Sequence, residues 1–378
     1  MKKRVLLFSA EPGGAETLTP VIRILRDAGA YDVQVLAYGH GLKRFSANGI
    51  ECIEIQKISR GDARIIEHFS PDMIITSAAG IPEFDMSEKY LWESARKSGV
   101  MTFAFLDQWQ NYVMRFSGPG YGERLTYLPD LINCIDSYAL NEMKAAGFPE
   151  NVLSPLGQPY LSEVHNRDRA VNSTAAITKV PGLPFTHEKK STVLFVSEAI
   201  REHFGEERGY DQFKALRLLL CNAAGIAREC GIIVKLHPKD KFEAFRGLVA
   251  AFPGIDIRLV RDELSPSECL NLAETVFGMT SVMLIEAFML GKRVVSLQPG
   301  LRSDDLLVTS RRNLMPVLKE VMQFDPFEFD NADPAGFDVS FDRQGFLKLL
   351  AQGHACPGPD DHCRSSGGNI SDNVELCN

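Results

Sequence analysis

Along the chain, short apolar runs rich in β-branched residues alternate with longer amphipathic stretches. Val5-Leu6-Leu7-Phe8, Val33–Tyr38, Met73–Ser77 and Met101–Leu106 are near-continuous apolar runs, the pattern of parallel strands covered by helices on both faces. Helical segments lie between them, the first amphipathic through Thr19–Leu25. Ile132-Asn133-Cys134-Ile135 reads as one more strand, and Leu153–Pro159 closes this first series. From His165 to Lys190 the chain is polar and broken by Pro181 and Pro184, as in a linker or mobile loop. The alternation restarts at Thr192–Val196, which ends at Ser197-Glu198 with Arg201 and His203 close behind. A long helix from about Gly209 to Cys230 precedes a strand at Gly231–Leu236. Past Gln323 the composition turns to Phe, Asp and Pro, and Phe341–Leu350 carries a last helical pattern. The expected organisation is α/β: a first Rossmann-like domain at 1–164, a linker at 165–190, a second Rossmann-like domain at 191–325, and a C-terminal segment at 326–378 ending in a polar tail.

The most informative stretch is Gly231–Gly300. Its first strand ends at His237-Pro238-Lys239-Asp240, which brings a histidine and two lysines, Lys235 and Lys239, to a carboxyl end. Thr275-Val276-Phe277 then runs into Gly278-Met279-Thr280-Ser281 and an apolar helix closed by Gly291, with Thr280 or Ser281 as N-cap. Val294–Leu297 supplies the next strand. Ligands of open α/β sheets bind beyond the carboxyl ends of the strands, where helix N-termini attract anions. Lys235, His237, Gly278, Thr280 and Ser281 are therefore candidates to surround a phosphate. Each also has a plainer reading, as a polar loop residue or a helix cap. Glu286 is the one charge in Val282–Leu290; buried, it needs either a ligand such as a ribose diol or an ion-pair partner.

In the first domain Ser9-Ala10-Glu11-Pro12-Gly13-Gly14 is a strand–turn–helix junction without dinucleotide-fingerprint spacing or a Walker lysine. Gly13 and Gly14 allow a tight turn and close approach to a ligand or the other domain. Glu11 is either a solvated loop acid or a reserve proton acceptor. Asp107-Gln108-Trp109-Gln110-Asn111-Tyr112 comes directly after a strand. Asp107 is the preferred general base, and Trp109 and Tyr112 form either a stacking platform for a sugar or a buried aromatic lid.

The 378 residues allow two domains, with 45% hydrophobic and 24% charged residues, as in an ordinary globular chain. A net charge of −8 argues against a general nucleic-acid binder while leaving room for a local basic pocket. Met1-Lys2-Lys3-Arg4 opens a strand rather than a signal peptide, and no run is long enough to span a membrane, so a cytoplasmic protein is expected, with peripheral membrane contact left open. Cys52, Cys134, Cys221, Cys230 and Cys269 lack ligand spacing and read as reduced core residues. Cys356, Cys363 and Cys377, with His354 and His362, fit no zinc motif and sit in a stretch polar enough to be disordered. No metal or other cofactor is called for.

Several of these segments carry a resemblance. Glu11–Ile22 looks like the start of the non-hydrolysing UDP-N-acetylglucosamine 2-epimerases and, more loosely, of lipid-A-disaccharide synthase. Pro155–Leu161 is similar to their interdomain segment. Gly278-Met279-Thr280-Ser281 with Glu286-Ala287 and Leu290-Gly291-Lys292 is similar to the nucleotide-binding segment of many GT-B enzymes. His237-Pro238 with Thr280-Ser281 resembles the paired motifs of bacterial sialyltransferases and capsule polymerases. Phe105–Tyr112 resembles a segment of polysaccharide-biosynthesis proteins of this general type. The chain departs from the epimerases in having Leu106-Asp107-Gln108-Trp109 in place of His-Glu-Ala-Gly, and from the sialyltransferases in lacking Asp-Asp-Gly or Glu-Asp-Gly.

The resemblance implies a GT-B-like fold, two βα domains facing a cleft. It implies a metal-independent glycosyltransferase that moves a sugar from a nucleotide-sugar donor to a hydroxyl acceptor, in surface polysaccharide or glycoconjugate synthesis. The second domain would hold the nucleotide through Lys235, His237, Gly278, Thr280, Ser281 and Glu286. The first, with Asp107 as base, Glu11 in reserve and Gly13, Gly14, Trp109 and Tyr112 around them, would hold the acceptor. The alternatives are a nucleotide-sugar 2-epimerase-like enzyme and a non-catalytic nucleotide-sugar-binding protein.

Overall fold

The computed structural model describes residues 2–78, 80–120, 122–164, 191–226 and 230–352. The linker expected at 165–190 and the Cys/His tail lie outside the described residues.

The first sheet has seven strands: β1 (Lys3–Ser9), β2 (Tyr31–Ala37), β3 (Ile53–Glu54), β4 (Met73–Ser77), β5 (Met101–Phe105), β6 (Leu131–Cys134) and β7 (Leu153–Pro155). Their order is β3-β2-β1-β4-β5-β6-β7 and all pairs are parallel. The second sheet has six: β8 (Ser191–Val196), β9 (Cys230–Lys235), β10 (Asp256–Val260), β11 (Thr275–Gly278), β12 (Arg293–Leu297) and β13 (Val317–Leu318). Its order is β10-β9-β8-β11-β12-β13, again all parallel. Both sheets are therefore doubly wound, with the direction of winding reversing between β1 and β4 and between β8 and β11. A crevice opens at such a reversal because the flanking helices leave on opposite faces.

The central strands are buried end to end, as their apolar runs require. The helix expected from Gly209 to Cys230 is shorter. It runs Gln212–Ala223, capped by Asp211, whose side chain accepts from the backbone N–H of Phe213 and Lys214; Cys230 already belongs to β9. Cys134, Cys230 and Cys269 are buried and Cys52, half-buried, packs against the edge of the first core, but Cys221 is exposed and is not a core residue.

The C-terminal segment crosses back from the second core to the first. Phe324 and Phe329 pack on Phe277 of β11, at 5.9 and 6.4 Å between ring centroids. Phe337 packs on Phe288 and Trp109. The helix Arg343–Gln352 then buries Phe346 and Leu350 against β1 and β5 of the first sheet. Gly157 marks the point of closest passage: its φ is +95°, and a Cβ there would lie 2.0 Å from the carbonyl oxygen of Ser340. No described helix is long and apolar enough to cross a membrane.

Candidate functional site

A cavity of about 370 Å³ lies between the two sheets. Its walls come from the loops just beyond the ends of six strands: Glu11–Gly13 after β1, Gly80 and Ile81 after β4, Asp107 after β5, Ser197–Ala199 after β8, Leu236–Pro238 after β9 and Thr280–Val282 after β11. The two sheets thus turn their carboxyl ends towards one space.

On the second-domain wall His237 lines the cavity and its Nδ1 accepts from the backbone N–H of Lys239 at 3.1 Å. The neutral ring therefore carries its proton on Nε2. Burial holds the imidazole pKa down at about 4, with His203, Lys239, His40 and Arg261 adding to the effect. His237 is a neutral hydrogen-bond donor at neutral pH. Asp240 fixes the turn by accepting from the His237 backbone N–H at 2.8 Å.

Lys235 also borders the cavity, but its Nζ donates to the carbonyls of Arg261 and Leu264. It fastens the loop after β10 and has at most one N–H left for a ligand. Ser281 is the N-cap of the helix Val282–Met289 and accepts from the Met283 N–H at 3.3 Å. Thr280 is engaged by Glu198: its N–H donates to Oε2 at 2.5 Å and its hydroxyl to Oε1 at 2.8 Å. Burial raises the Glu198 pKa while these donors and the N–H groups of Ser281 and Met279 oppose the rise. Gly278 does not line the cavity. Its missing Cβ makes room for packing, since a methyl there would meet Leu284 Cδ1 at 2.6 Å and the Val196 carbonyl at 3.1 Å. Glu286 is 4% exposed, lines the cavity and is hydrogen-bonded to Tyr160, a partner that neither sequence-based reading supplied.

On the first-domain wall the Asp107 carboxylate pairs with Arg115 at 2.6 Å, both buried. Arg115 is itself held by the carbonyls of Gln110 and Ala78, at 2.8 and 2.5 Å. Gly13 is needed beside this carboxylate, because a Cβ would come within 2.6 Å of Asp107 Oδ2. Gln158 ties the end of β5 to the first helix, donating to the Asp107 carbonyl (3.3 Å) and to Thr17 (3.1 Å). Burial raises the Glu11 pKa; Lys239 of the other domain and His40 counter it, while Asp85 and Asp107 add to it. Glu11 and Asp107 thus share the cavity and feel one another's charge. Gly14 lies below the cavity wall, where a Cβ would collide with Ser77 and Ser9. Those two hydroxyls meet at 2.9 Å, and Ser77 donates to the buried Glu88, whose pKa burial raises.

Trp109 and Tyr112 do not line the cavity, so neither forms a sugar platform. Trp109 is 1% exposed and packs on Phe337 of the crossing segment. Tyr112 donates to Glu142 at 2.8 Å, and Arg311 of the second domain binds Glu142 and the Trp109 carbonyl. With Arg312 on Asp136 at 3.1 Å, this cluster fixes one domain against the other. Opposite it, His203 and Lys239 close over Phe84 of the first domain. Among the described residues no three His, Cys, Asp or Glu side chains gather as metal ligands.

No protein-family model matches the chain, and no curated protein matches it in sequence. Solved structures do match. The UDP-GlcNAc 2-epimerase of Neisseria meningitidis bound to UDP-GlcNAc is 13% identical and aligns over 93% of this chain and 100% of its own, with a TM-score of 0.69. The Methanocaldococcus jannaschii UDP-GlcNAc 2-epimerase in complex with UDP-GlcNAc and UDP is 13% identical, with the same coverage and a TM-score of 0.60. Anabaena HepE in complex with UDP and glucose is 11% identical, with a TM-score of 0.55. The fold is GT-B. At these identities the likeness is one of architecture, and what the cleft does rests on its own residues.

Proposed function

We propose that this protein is an enzyme acting on a nucleotide-activated sugar in the interdomain cleft, and that its reaction is epimerase-like rather than glycosyl transfer. The observation that carries the reading is the pair Glu11 and Asp107 on the wall facing His237, Thr280 and Glu286, in a fold matched over 93% of the chain by epimerases solved with UDP-GlcNAc. Inverting a carbon that bears hydrogen needs one group to take a proton and another to return one from the opposite face. Two carboxyl groups in unlike surroundings suit such a division. Glu11 is pushed by burial towards its protonated form, while Asp107 lies against the Arg115 guanidinium at 2.6 Å. A cavity of about 370 Å³ lies near the lower end of the ~300–1,000 Å³ span of small-molecule sites, which favours one sugar nucleotide over a donor and an acceptor side by side. The nucleotide would lie along the second wall, with His237 near its phosphates and Glu286, braced by Tyr160, near its ribose.

The test is incubation with UDP-N-acetylhexosamines in D₂O, followed by NMR and mass spectrometry. The expected outcome is an inverted sugar carbon carrying one deuterium, with no accumulation of free UDP. Release of UDP matched by a new glycoside would make the protein a transferase. Tight binding with no chemical change would make it a nucleotide-sugar-binding protein.

A further inference from the structure

The hydroxyls of Ser9 and Ser77 join Glu11 to a buried carboxyl group that the proposed reaction leaves unused. Ser9 Oγ lies 3.2 Å from the Glu11 carbonyl oxygen and 2.9 Å from Ser77 Oγ, and Ser77 Oγ is hydrogen-bonded to Oε1 of Glu88. Both serines are fully buried and Glu88 is 6% exposed. The other Glu88 oxygen, Oε2, accepts from the Gly80 N–H at 3.2 Å, and the buried Lys89 donates to the Gly80 carbonyl at 3.1 Å. Glu11 and Gly80 both line the cleft. One buried carboxyl group thus reaches the loops after β1 and β4.

Three contacts link Glu88, Ser77, Ser9 and the Glu11 carbonyl, whereas two serines supply only two protons. With Glu88 ionised, Ser77 donates to it, Ser9 donates to Ser77, and no proton is left for the Glu11 carbonyl. With a proton on Oε1 every link is made. Glu88 then donates to Ser77, Ser77 to Ser9 and Ser9 to Glu11, while Oε2 still accepts from Gly80. A buried polar contact without its proton is costly, so the chain favours the neutral acid. Burial favours the same form; Ser77, Lys89 and the Gly80 N–H oppose it, and Asp85 adds to it. The other titratable or charged neighbours are Tyr38, beyond β2, and Arg115 and Glu83, which act on Lys89.

We propose that Glu88 is a positioning residue for Glu11 that works through its proton: neutral, it directs the hydroxyl chain outward to pin the Glu11 carbonyl; ionised, it draws both hydroxyls inward. In the ionised state the Glu11 carbonyl keeps only its helix bond from the Ala15 N–H at 3.0 Å. Glu11 is the N-cap of the helix Pro12–Asp27, so the peptide being pinned is the one that carries its side chain into the cleft. The inference rests on the reading of Glu11 as a proton-transfer group, and adds what fixes that group in place. Glu88 touches no ligand and acts only through the two serines.

The experiment is carbon-13 NMR of the protein labelled at the glutamate δ-carbons, with the two signals assigned by their loss in E88Q and E11Q. At about pH 6 Glu88 should show the shift of a protonated carboxyl, whereas exposed glutamates, with pKa values near roughly 4.3, are ionised. As Glu88 ionises at higher pH, the Glu11 signal should show a step at the same pH. That step should vanish in S77A, which cuts the chain and keeps Glu88. An ionised Glu88 at about pH 6, or a step that survives in S77A, overturns the proposal. Turnover of UDP-N-acetylhexosamine in D₂O is the second readout. E88L should lower kcat about 10- to 100-fold with KM within about twofold, and S77A should do the same even where E88L does not fold. E88Q can donate its amide N–H to Ser77 while its carbonyl accepts from Gly80, and should recover most of what E88L loses. An E88Q as slow as E88L, or losses confined to KM, overturns the proposal. Absence of turnover in the folded wild type refutes the reaction instead, and the NMR titration then decides by itself whether Glu88 steers the chain.

Discussion

His237 offers the sharpest perturbation of the nucleotide wall. Its Nδ1 is committed to the Lys239 N–H at 3.1 Å, so only the Nε2 proton is available to a ligand. Replacement by Ala removes one donor to a phosphate oxygen. A hydrogen bond to a charged group contributes roughly 1.5–3 kcal/mol, so the dissociation constant for UDP should rise about 10- to 150-fold. His237→Gln can still donate and should lose less. Titration calorimetry at pH 7.5 measures both, and unchanged affinity in His237→Ala would make the residue purely structural.

The same side chain leaves a mark on stability. The folded imidazole stays neutral down to about pH 4, whereas in the unfolded chain it protonates near its ordinary value of 6.5. Between those values the unfolded state binds a proton that the folded state refuses. Stability therefore rises with pH across this window and is lost as pH falls through it. The shift corresponds to about 3 kcal/mol at most. Urea unfolding of wild type and His237→Gln at pH 4.5 and 7 should show the variant losing less stability on acidification. A drop of the same size in both proteins would mean that other groups carry the pH dependence.

Three further perturbations address other parts of the molecule. Phe346→Ala should cost about 3–5 kcal/mol, seen as a lowered urea midpoint, because the ring is fully buried against Phe103, Phe105 and Phe341; a loss under about 1 kcal/mol would mean that the crossing helix does not brace the first domain. Arg311→Ala should cost about 1–3 kcal/mol and speed amide exchange at Tyr112–Arg115, since it leaves Glu142 and the Trp109 carbonyl without their cation; unaltered exchange would place the interdomain hold elsewhere. Asp107→Asn should lower turnover roughly 10²–10⁴-fold with little change in UDP affinity, while Arg115→Met, which removes its ion-pair partner, should reduce stability as well; full turnover in folded Asp107→Asn would move the proton-transfer role to Glu11.

How much of the fold is legible in the sequence depends on the physics of burial. Every strand interior to a sheet announces itself as an apolar run, because helices cover both of its faces. The strands that the pattern misses, β3, β7, β10 and β13, are the four edges of the two sheets. An edge strand is half-solvated and short: Ile53–Glu54 has two exposed residues, and Asp256–Val260 carries Asp and Arg. Residues at strand ends are equally legible, since topology alone puts Glu11, Asp107, His237 and Thr280 at the crevice. Their partners are not. Glu198 and Thr280 are 82 residues apart, and nothing local in Ser197-Glu198 says that its carboxylate will take the donors of another strand's turn. Arg115 and Tyr160 are similar cases, chosen by which elements meet. Trp109 and Tyr112 mislead because aromatic rings beside a strand end are equally at home in a ligand cleft and in a domain interface. Only the path of Phe337 and Arg311 decides between these.

The character of the second-domain wall comes from where its charges are already engaged. Lys235 is held by two carbonyls and Arg261 donates to the Asp240 carbonyl, while across the cleft Arg44 of the first domain pairs with Glu16 at 3.2 Å. His203 and His237 are kept towards their neutral forms by burial. The donors of this wall are consequently dipoles: an imidazole N–H, and a hydroxyl and the backbone of a helix start that Glu198 already engages. Such groups, fixed in place and shielded from water, can stabilise a ligand's negative charge without reorganising around it. They also hold a ligand less indiscriminately than free lysines would, because a dipole must be aimed whereas an ammonium attracts any anion within reach. Glu198 fits this design. Its hydrogen bonds come from Thr280, Ser281 and Met279, none of them a cation, so the carboxylate holds the turn without being locked there by an ion pair. A ligand phosphate competing for those donors has to outweigh only dipoles.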